Sequence, residues 1–278
     1  MSEAGQGAAP DPAASWSGGS FGQRAQCVLA PNPNIMTLDG TNTWVLREPD
    51  ARRSIVIDPG PEILSHLDAV AETAGEVAAV LLTHHHHDHS EAARSFAERM
   101  GCGVRALDPA YRLGSEGLYD GDVVAVDGLE VHVVGTPGHT ADSLSFVVPA
   151  EGAVLTGDTV LGRGTTVVAH PDGQLGAYLD SLDRLHALAE AQEATAIWPG
   201  HGPVITDALA ALDYYRSHRQ QRLEQVREAV NSLGVRASEA DARTVVETVY
   251  ADVDPVLWGA AELSVRAQLE FLAQGERR

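Results

Sequence analysis

Seven histidines and aspartates, set at four separate places in the chain, have the residue types and spacing of metal ligands. The densest cluster is Thr83-His84-His85-His86-His87-Asp88-His89. Read as His-x-His-x-Asp-His, it places His84, His86, Asp88 and His89 in ligand positions. Alternation along extended backbone puts His84 and His86 on one side. Asp88 and His89 fall where the chain turns into a helix and can serve a second ion. Imidazole and carboxylate together suit zinc, and also iron or manganese. The run is internal and broken by Asp88, unlike a terminal purification tag.

Three more candidates lie in glycine-containing turns: Gly138-His139-Thr140, Gly157-Asp158-Thr159 and Gly200-His201-Gly202. Each of His84, His139, Asp158 and His201 stands just past the C-terminal end of an apolar run. Glycine there lets backbone approach closely and leaves the ligand exposed. If these ends converge, three histidines serve one ion. Asp88, His89 and His201 serve the other, with Asp158 between them.

The elements that must hold these residues are legible in the pattern. Val77–Leu82 reads as a buried strand before the histidine run, and Ser90–Met100 as an amphipathic helix after it. Further strands are expected at Ala25–Ala30, Thr43–Arg47, Ser54–Ile57, Gly103–Leu107, Val123–Val126, Leu129–Val134, Ser143–Val148, Ala153–Leu155 and Ala194–Trp198. Helices are expected from Pro61 to about Thr73 and over Leu179–Leu188. From about Asp207 the composition turns helical, with Ala208–Leu233, Ala237–Tyr250 (Ser238 as its N-cap) and Pro255–Gln274. Arg216, Arg219, Arg222 and Arg227 are expected on the solvated side of the first of these.

The domain expectation is a disordered tail over 1–20, a catalytic domain over 21–207 and a helical module over 208–278. The tail has neither the basic nor the apolar stretch of a signal peptide. No apolar run approaches membrane-spanning length. With 44% apolar residues the chain can bury a sizeable core. All 19 basic residues are Arg, which excludes Schiff-base and Walker-type lysines. A net charge of −20 argues against a broad nucleic-acid surface but admits a small anionic substrate drawn to metal. Residues 214–278 carry 9 Arg against 10 acidic residues, so the negative charge falls almost wholly on the rest. That module is expected to pack or to dimerise. Cys27 and Cys102 read as free thiols, which places the chain in the cytoplasm. His66, His132, His186 and His218 read as surface or core histidines. His170 is a loop histidine beside the Asp158 turn, and Arg163 a candidate contact for a substrate anion.

In full and in order, His84-x-His86-x-Asp88-His89, Gly138-His139-Thr140, Gly157-Asp158-Thr159 and Gly200-His201-Gly202 resemble the metallo-β-lactamase superfamily. Asp58 in Asp58-Pro59-Gly60 resembles its first motif, where the aspartate is buried behind the ligands. Ala30-Pro31-Asn32-Pro33-Asn34, Met36 to Thr43, Gly157 to Gly162 and the C-terminal module are similar to the β-lactamase-like-protein-2 group. The resemblance implies an α/β (α+β) fold, a four-layer αββα sandwich with a small winged-helix-like C-terminal domain. It implies two Zn²⁺ per chain, held by His84, His86 and His139 and by Asp88, His89 and His201, with Asp158 bridging. Hydrolysis by a zinc-bound hydroxide that Asp88 orients follows. A small thioester or related acyl substrate is the first expectation. The alternatives are an endoribonuclease on single-stranded RNA, which the acidity disfavours, a lactonase, or a persulfide dioxygenase using a single iron.

Overall fold

Apolar and β-branched runs punctuated by turn residues become two sheets in the computed structural model, which describes residues 15–192 and 194–276. The first sheet holds β1 (Gly19–Phe21), β2 (Ala25–Leu29), β3 (Asn42–Leu46), β4 (Arg53–Ile57), β5 (Glu76–Leu81) and β6 (Gly103–Arg105), side by side in that order. The second holds β7 (Val123–Val126), β8 (Leu129–Gly135), β9 (Leu144–Val148), β10 (Ala153–Gly157) and β11 (Ala196–Pro199), also in consecutive order. The pairs β4–β5, β5–β6 and β10–β11 are parallel, the rest antiparallel.

Strands β3, β9 and β10 are buried along their whole length. Each faces the opposite sheet on one side and its covering layer on the other, which is why their sequences do not alternate. Leu46, Ile55, Ile57 and Leu81 meet Leu129, Leu144 and Phe146 in the core between the sheets. Burying each such side chain contributes about 1.5–3 kcal/mol. Trp44 of β3 stacks on Trp198 of β11, ring centroids 5.2 Å apart, so the sheets are registered at the end where the histidines cluster.

The outer layers are helical. α1 (Leu64–Ala74), the short α2 (His87–Ser90) and α3 (Ala93–Met100) lie with the first sheet, which Leu67, Val70 and Phe96 seal. α4 (Leu175–Ala191) and the start of α5 (Ala208–Leu233) cover the second through Tyr178, Leu182, Leu185 and Leu212. The four-layer αββα sandwich that the family resemblance implies is the observed fold. The single helix expected over Ser90–Met100 is two helices, because α2 ends before Glu91 and α3 restarts at Ala93. The helix expected from Pro61 starts at Leu64.

Beyond the sandwich, α5 continues into a module with α6 (Ala242–Val249) and α7 (Trp258–Glu276), packed around Val226, Val245, Val246 and Val265. Its described residues hold helices and the turns between them, with no strand. The cap of α6 is Asp241, whose carboxylate accepts from the Thr244 backbone N–H at 2.8 Å; Ser238, expected there, sits in a preceding 3₁₀ turn. α5 begins at Ala208, the first residue of the expected helical module, yet belongs to it only in part. Its first half, with Tyr215 and Leu223, shares the sandwich core.

Two further expectations change. Residues 1–14 of the expected tail lie outside the described residues, but 15–20 are ordered. Trp16 packs at the core's edge and donates to Asn42 Oδ1 at 2.7 Å, and Gly19 and Ser20 belong to β1. Arg219 is not solvated: it is 4% exposed. No helix among the described residues is long and apolar enough to cross a membrane.

Candidate metal centre

Strands β5, β8, β10 and β11 end at the same edge of the sandwich, and the turns after them bring the seven expected residues together. His84, His86, His139 and Asp158 form one group, and Asp88, His89 and His201 a second; within each, the ligand atoms lie within 4.8 Å of one another. His86 Nδ1 is 3.1 Å from His84 Nε2 and 3.0 Å from His139 Nε2. His89 Nε2 and His201 Nε2 are 3.3 Å apart, and each lies within 3.3 Å of Asp88 Oδ2. Asp158 stands between the groups: Oδ2 is 3.7 Å from His139 Nε2 and 3.4 Å from His201 Nε2, while Oδ1 is 3.4 Å from His89 Nε2.

Four of the five rings are fixed through the nitrogen that faces away from the cluster. His89 Nδ1 donates to Asp58 Oδ2 at 2.8 Å, His139 Nδ1 to the Val167 carbonyl at 2.8 Å and His201 Nδ1 to the Gly40 carbonyl at 3.0 Å. The Thr83 hydroxyl donates to Asp58 Oδ2 at 2.6 Å, so at 2.9 Å it accepts from His84 Nδ1. These bonds place the N–H on Nδ1 in all four rings and leave the Nε2 lone pairs facing inward. Converging lone pairs repel unless a cation lies among them. A tetrahedral ion with bonds of about 2.0–2.1 Å needs donor–donor edges of about 3.3 Å, close to the spacings seen. Asp158 Oδ1 is buried and has no hydrogen-bond partner among the described residues, as suits an oxygen that meets a metal. The donor set fits a pair of divalent ions.

The electrostatics agree. Burial opposes charge on His89, yet Asp88, Asp158 and Asp58 outweigh it and push its pKa well up. His201 is likewise pushed up to about 9, against its burial, by Asp158 and Asp88. In the other group burial, together with neighbouring histidines, holds His84 well down and His86 at about 4. A cluster of carboxylates thus draws positive charge into a place that desolvates it.

The backbone is specialised where it supports this edge. Asp58 has φ +51, a left-handed conformation costly for a residue with a side chain, and lies beneath the ligands. A Cβ on Gly200 would come within 2.5 Å of Asp158 Oδ1 and 2.8 Å of His89 Cε1, so only glycine leaves the ligands room.

Several supporting residues escape sequence reasoning. Thr41 donates from Oγ1 to Asp88 Oδ2 at 3.0 Å and accepts from Asn32 Nδ2 at 3.0 Å. Asn42 Nδ2 donates to the carbonyls of Pro199 and Gly202, 2.9 Å each, bracketing His201. Both residues lie in a stretch rich in turn formers that is also similar to the β-lactamase-like-protein-2 group, but neither signal gives them a role. The loop after Asp158 is held from the C-terminal helices. Tyr215 OH accepts from Leu161 N at 2.8 Å, Ser264 Oγ from Val168 N at 3.4 Å, and Arg219 Nη2 donates to the Thr166 carbonyl. Thr166 Oγ1 in turn donates to the Asp158 carbonyl at 2.6 Å.

Beside the metal edge lies a cavity of about 590 Å³ that reaches from His139 and Asp158 to the C-terminal helices. Its walls include Ile35, Met36, Leu38, Leu161, Val253 and Leu257. Arg163 lines it too, but pairs with Asp39 at 2.7 Å. His170 lines a separate groove against α7.

Fold and site define a metallohydrolase of the αββα class. The chain belongs to the metallo-beta-lactamase superfamily, whose model matches residues 36–201; a beta-lactamase associated winged helix domain matches 242–277. It is 32% identical over 270 residues to the beta-lactamase-like protein 2 homolog of Drosophila melanogaster, covering 88% of this chain and 86% of that one. It is 34% identical over 231 residues to an atrochrysone carboxyl ACP thioesterase of Aspergillus chevalieri, covering 81% and 71%. A beta-lactamase domain protein from Burkholderia ambifaria has the same fold at TM-score 0.77 and 22% identity, over 96% of this chain and 90% of that one.

Proposed function

We propose that the protein is a zinc-dependent acyl thioesterase. The observation that carries this reading is the apolar cavity that opens directly onto His139 and Asp158. Its volume is in the range of a small-molecule site, and its walls suit the hydrocarbon part of an acyl group. The similarity to a thioesterase supports the same class. An RNA strand would meet little cationic surface on a chain of net charge −20.

His84, His86 and His139 would hold one ion, and Asp88, His89 and His201 the other, with Asp158 shared. Bound there, two zinc ions supply Lewis-acid polarisation of the thioester carbonyl and a water acidic enough to attack at neutral pH. The chain's own residues do the rest. Asp58 and Thr83 keep the Nε2 atoms of His89 and His84 aimed inward. Asp88, held at Oδ2 by Thr41, orients the attacking water. Water adds to the carbonyl, the carbon–sulfur bond breaks, and the products are a carboxylate and a thiol. The free cysteines Cys27 and Cys102 support a reducing, cytoplasmic setting.

The test is purified protein with its metal counted, assayed against acyl-N-acetylcysteamine thioesters of rising chain length, lactones and single-stranded RNA. Two zinc per chain and thioester turnover at least 100-fold above lactone turnover are expected. RNA cleavage without thioester turnover overturns the reading, as does one iron per chain with oxygen consumption.

A further inference from the structure

The far end of the cavity differs chemically from its middle. Arg219 and Arg222, one turn apart on α5, both line it, with His218 beside them. Of its lining residues, Asp158 at the metal edge is the sole acid, although the chain carries 39 acidic residues. Among the described residues no carboxylate lies within ion-pair distance of either guanidinium, whereas Arg163, Arg216 and Arg227 all have one.

Arg219 is the more telling of the two. It is 4% exposed, packs its guanidinium over the Tyr178 ring and donates through Nη2 to the Thr166 carbonyl, while its Nε has no partner among the described residues. A buried guanidinium without a counter-charge is costly unless an anion completes it. Arg222 lies over the Tyr250 ring, 4.6 Å from its centroid, and gives Nη1 to Gln225 Oε1 and the Val249 carbonyl. The tyrosine contacts pre-orient both forks at little further entropic cost. His218 Nδ1 is buried and likewise unpartnered. Burial and the two neighbouring arginines hold its pKa at about 4, so at neutral pH the ring is uncharged and leaves the positive field to the arginines.

We infer that Arg219, Arg222 and His218 form an oxyanion-binding subsite that takes the anionic far end of an acyl substrate whose reactive carbonyl sits at the metal edge. The ligand chemistry is a carboxylate or a phosphate monoester. A carboxylate would come from the acyl part of a dicarboxylic half-thioester. A phosphate would come from the thiol carrier. Assigning the anion to a substrate rests on the thioesterase reading; the subsite itself can be tested without turnover.

The experiment is equilibrium binding to the metal-loaded full chain, comparing glutarate with pentanoate and 4′-phosphopantetheine with pantetheine. Wild type, Arg222→Gln and Arg222→Lys are compared, with metal content and thermal melting as folding controls. The expected result is, in one pair, at least a tenfold preference for the member that carries the additional terminal anion, falling to about twofold in Arg222→Gln and largely restored in Arg222→Lys. Preference within the glutarate pair assigns the carboxylate; preference within the phosphopantetheine pair assigns the carrier. Equal binding within both pairs, or a preference unchanged in Arg222→Gln, overturns the proposal. So does binding of a short single-stranded RNA in an Arg222-dependent manner while all four small probes fail. Intact Arg222-dependent binding without thioester turnover removes the catalytic reading and leaves the subsite standing.

Discussion

The two ends of the cavity are built on opposite principles. At the metal edge, ligands stand on turns after strands and on the short α2, and the rings of His84, His89, His139 and His201 are each braced by a backbone carbonyl, a threonine or Asp58. The charge there is negative and the tolerance small, as Gly200 shows. At the far end the walls come from loop 34–38 and from helices of the C-terminal module, and the fixed charge is positive. One end is suited to hold ions for a reaction shared by many hydrolases. The other is suited to choose among substrates. Similarity in the metal motifs therefore speaks to chemistry much more than to substrate.

Substitutions that separate the ends make this division testable. Asp158→Ala or His86→Ala should lower kcat at least 1,000-fold with every acyl substrate while the fold persists; steady-state kinetics with circular dichroism would show it. Retained turnover with two ions still bound would break the assignment. Asp58→Ala, which touches no substrate, should weaken metal affinity about 10- to 100-fold, read by competition with a chromophoric chelator. Leu257→Ala should act only at the substrate end, raising KM for a long acyl thioester about tenfold with little effect on acetyl thioester. An equal effect on both would erase the distinction.

The smallest effect concerns His66, a brace under the metal edge. Its Nε2 lies 2.9 Å from Thr43 Oγ1, which donates to the Asp58 carbonyl at 2.7 Å. Burial depresses the His66 pKa to about 4. The folded value lies below the unfolded value of about 6.5, so the neutral ring's contribution is complete above pH 6.5. It is lost as pH falls from 6.5 toward 4, about 1 kcal/mol by pH 5.5. Urea unfolding of wild type and His66→Gln at pH 7.5 and 5.5 should show the larger acid loss in wild type.

Much of the metal edge was legible because its signals are local. His84-x-His86-x-Asp88-His89 and the Gly-flanked His139, Asp158 and His201 each carry a ligand type next to a strand end, and the strands announce themselves by apolar runs. Asp58 was legible only through the resemblance of Asp58-Pro59-Gly60 to a motif of the family. Thr41, Asn42 and Thr83 were not, since a threonine or asparagine in a turn looks the same whether it faces water or a ligand. Arg219 shares one stripe of α5 with Leu212, Tyr215, Leu223 and Val226, so helical spacing alone assigns it to the buried face; its residue type points to solvent instead, and residue type misleads here.

By itself the sequence determined the strand ends and the donor atoms, because period, turn chemistry and ligand type are properties of neighbouring residues; the sandwich followed only from the family resemblance that the motifs carry. Only the tertiary structure decided that Arg219 and Arg222 face the same space as His139 and Asp158. That juxtaposition joins residues far apart in the chain through the packing of α5 and α7 against the sandwich, and packing of that kind leaves no periodic trace.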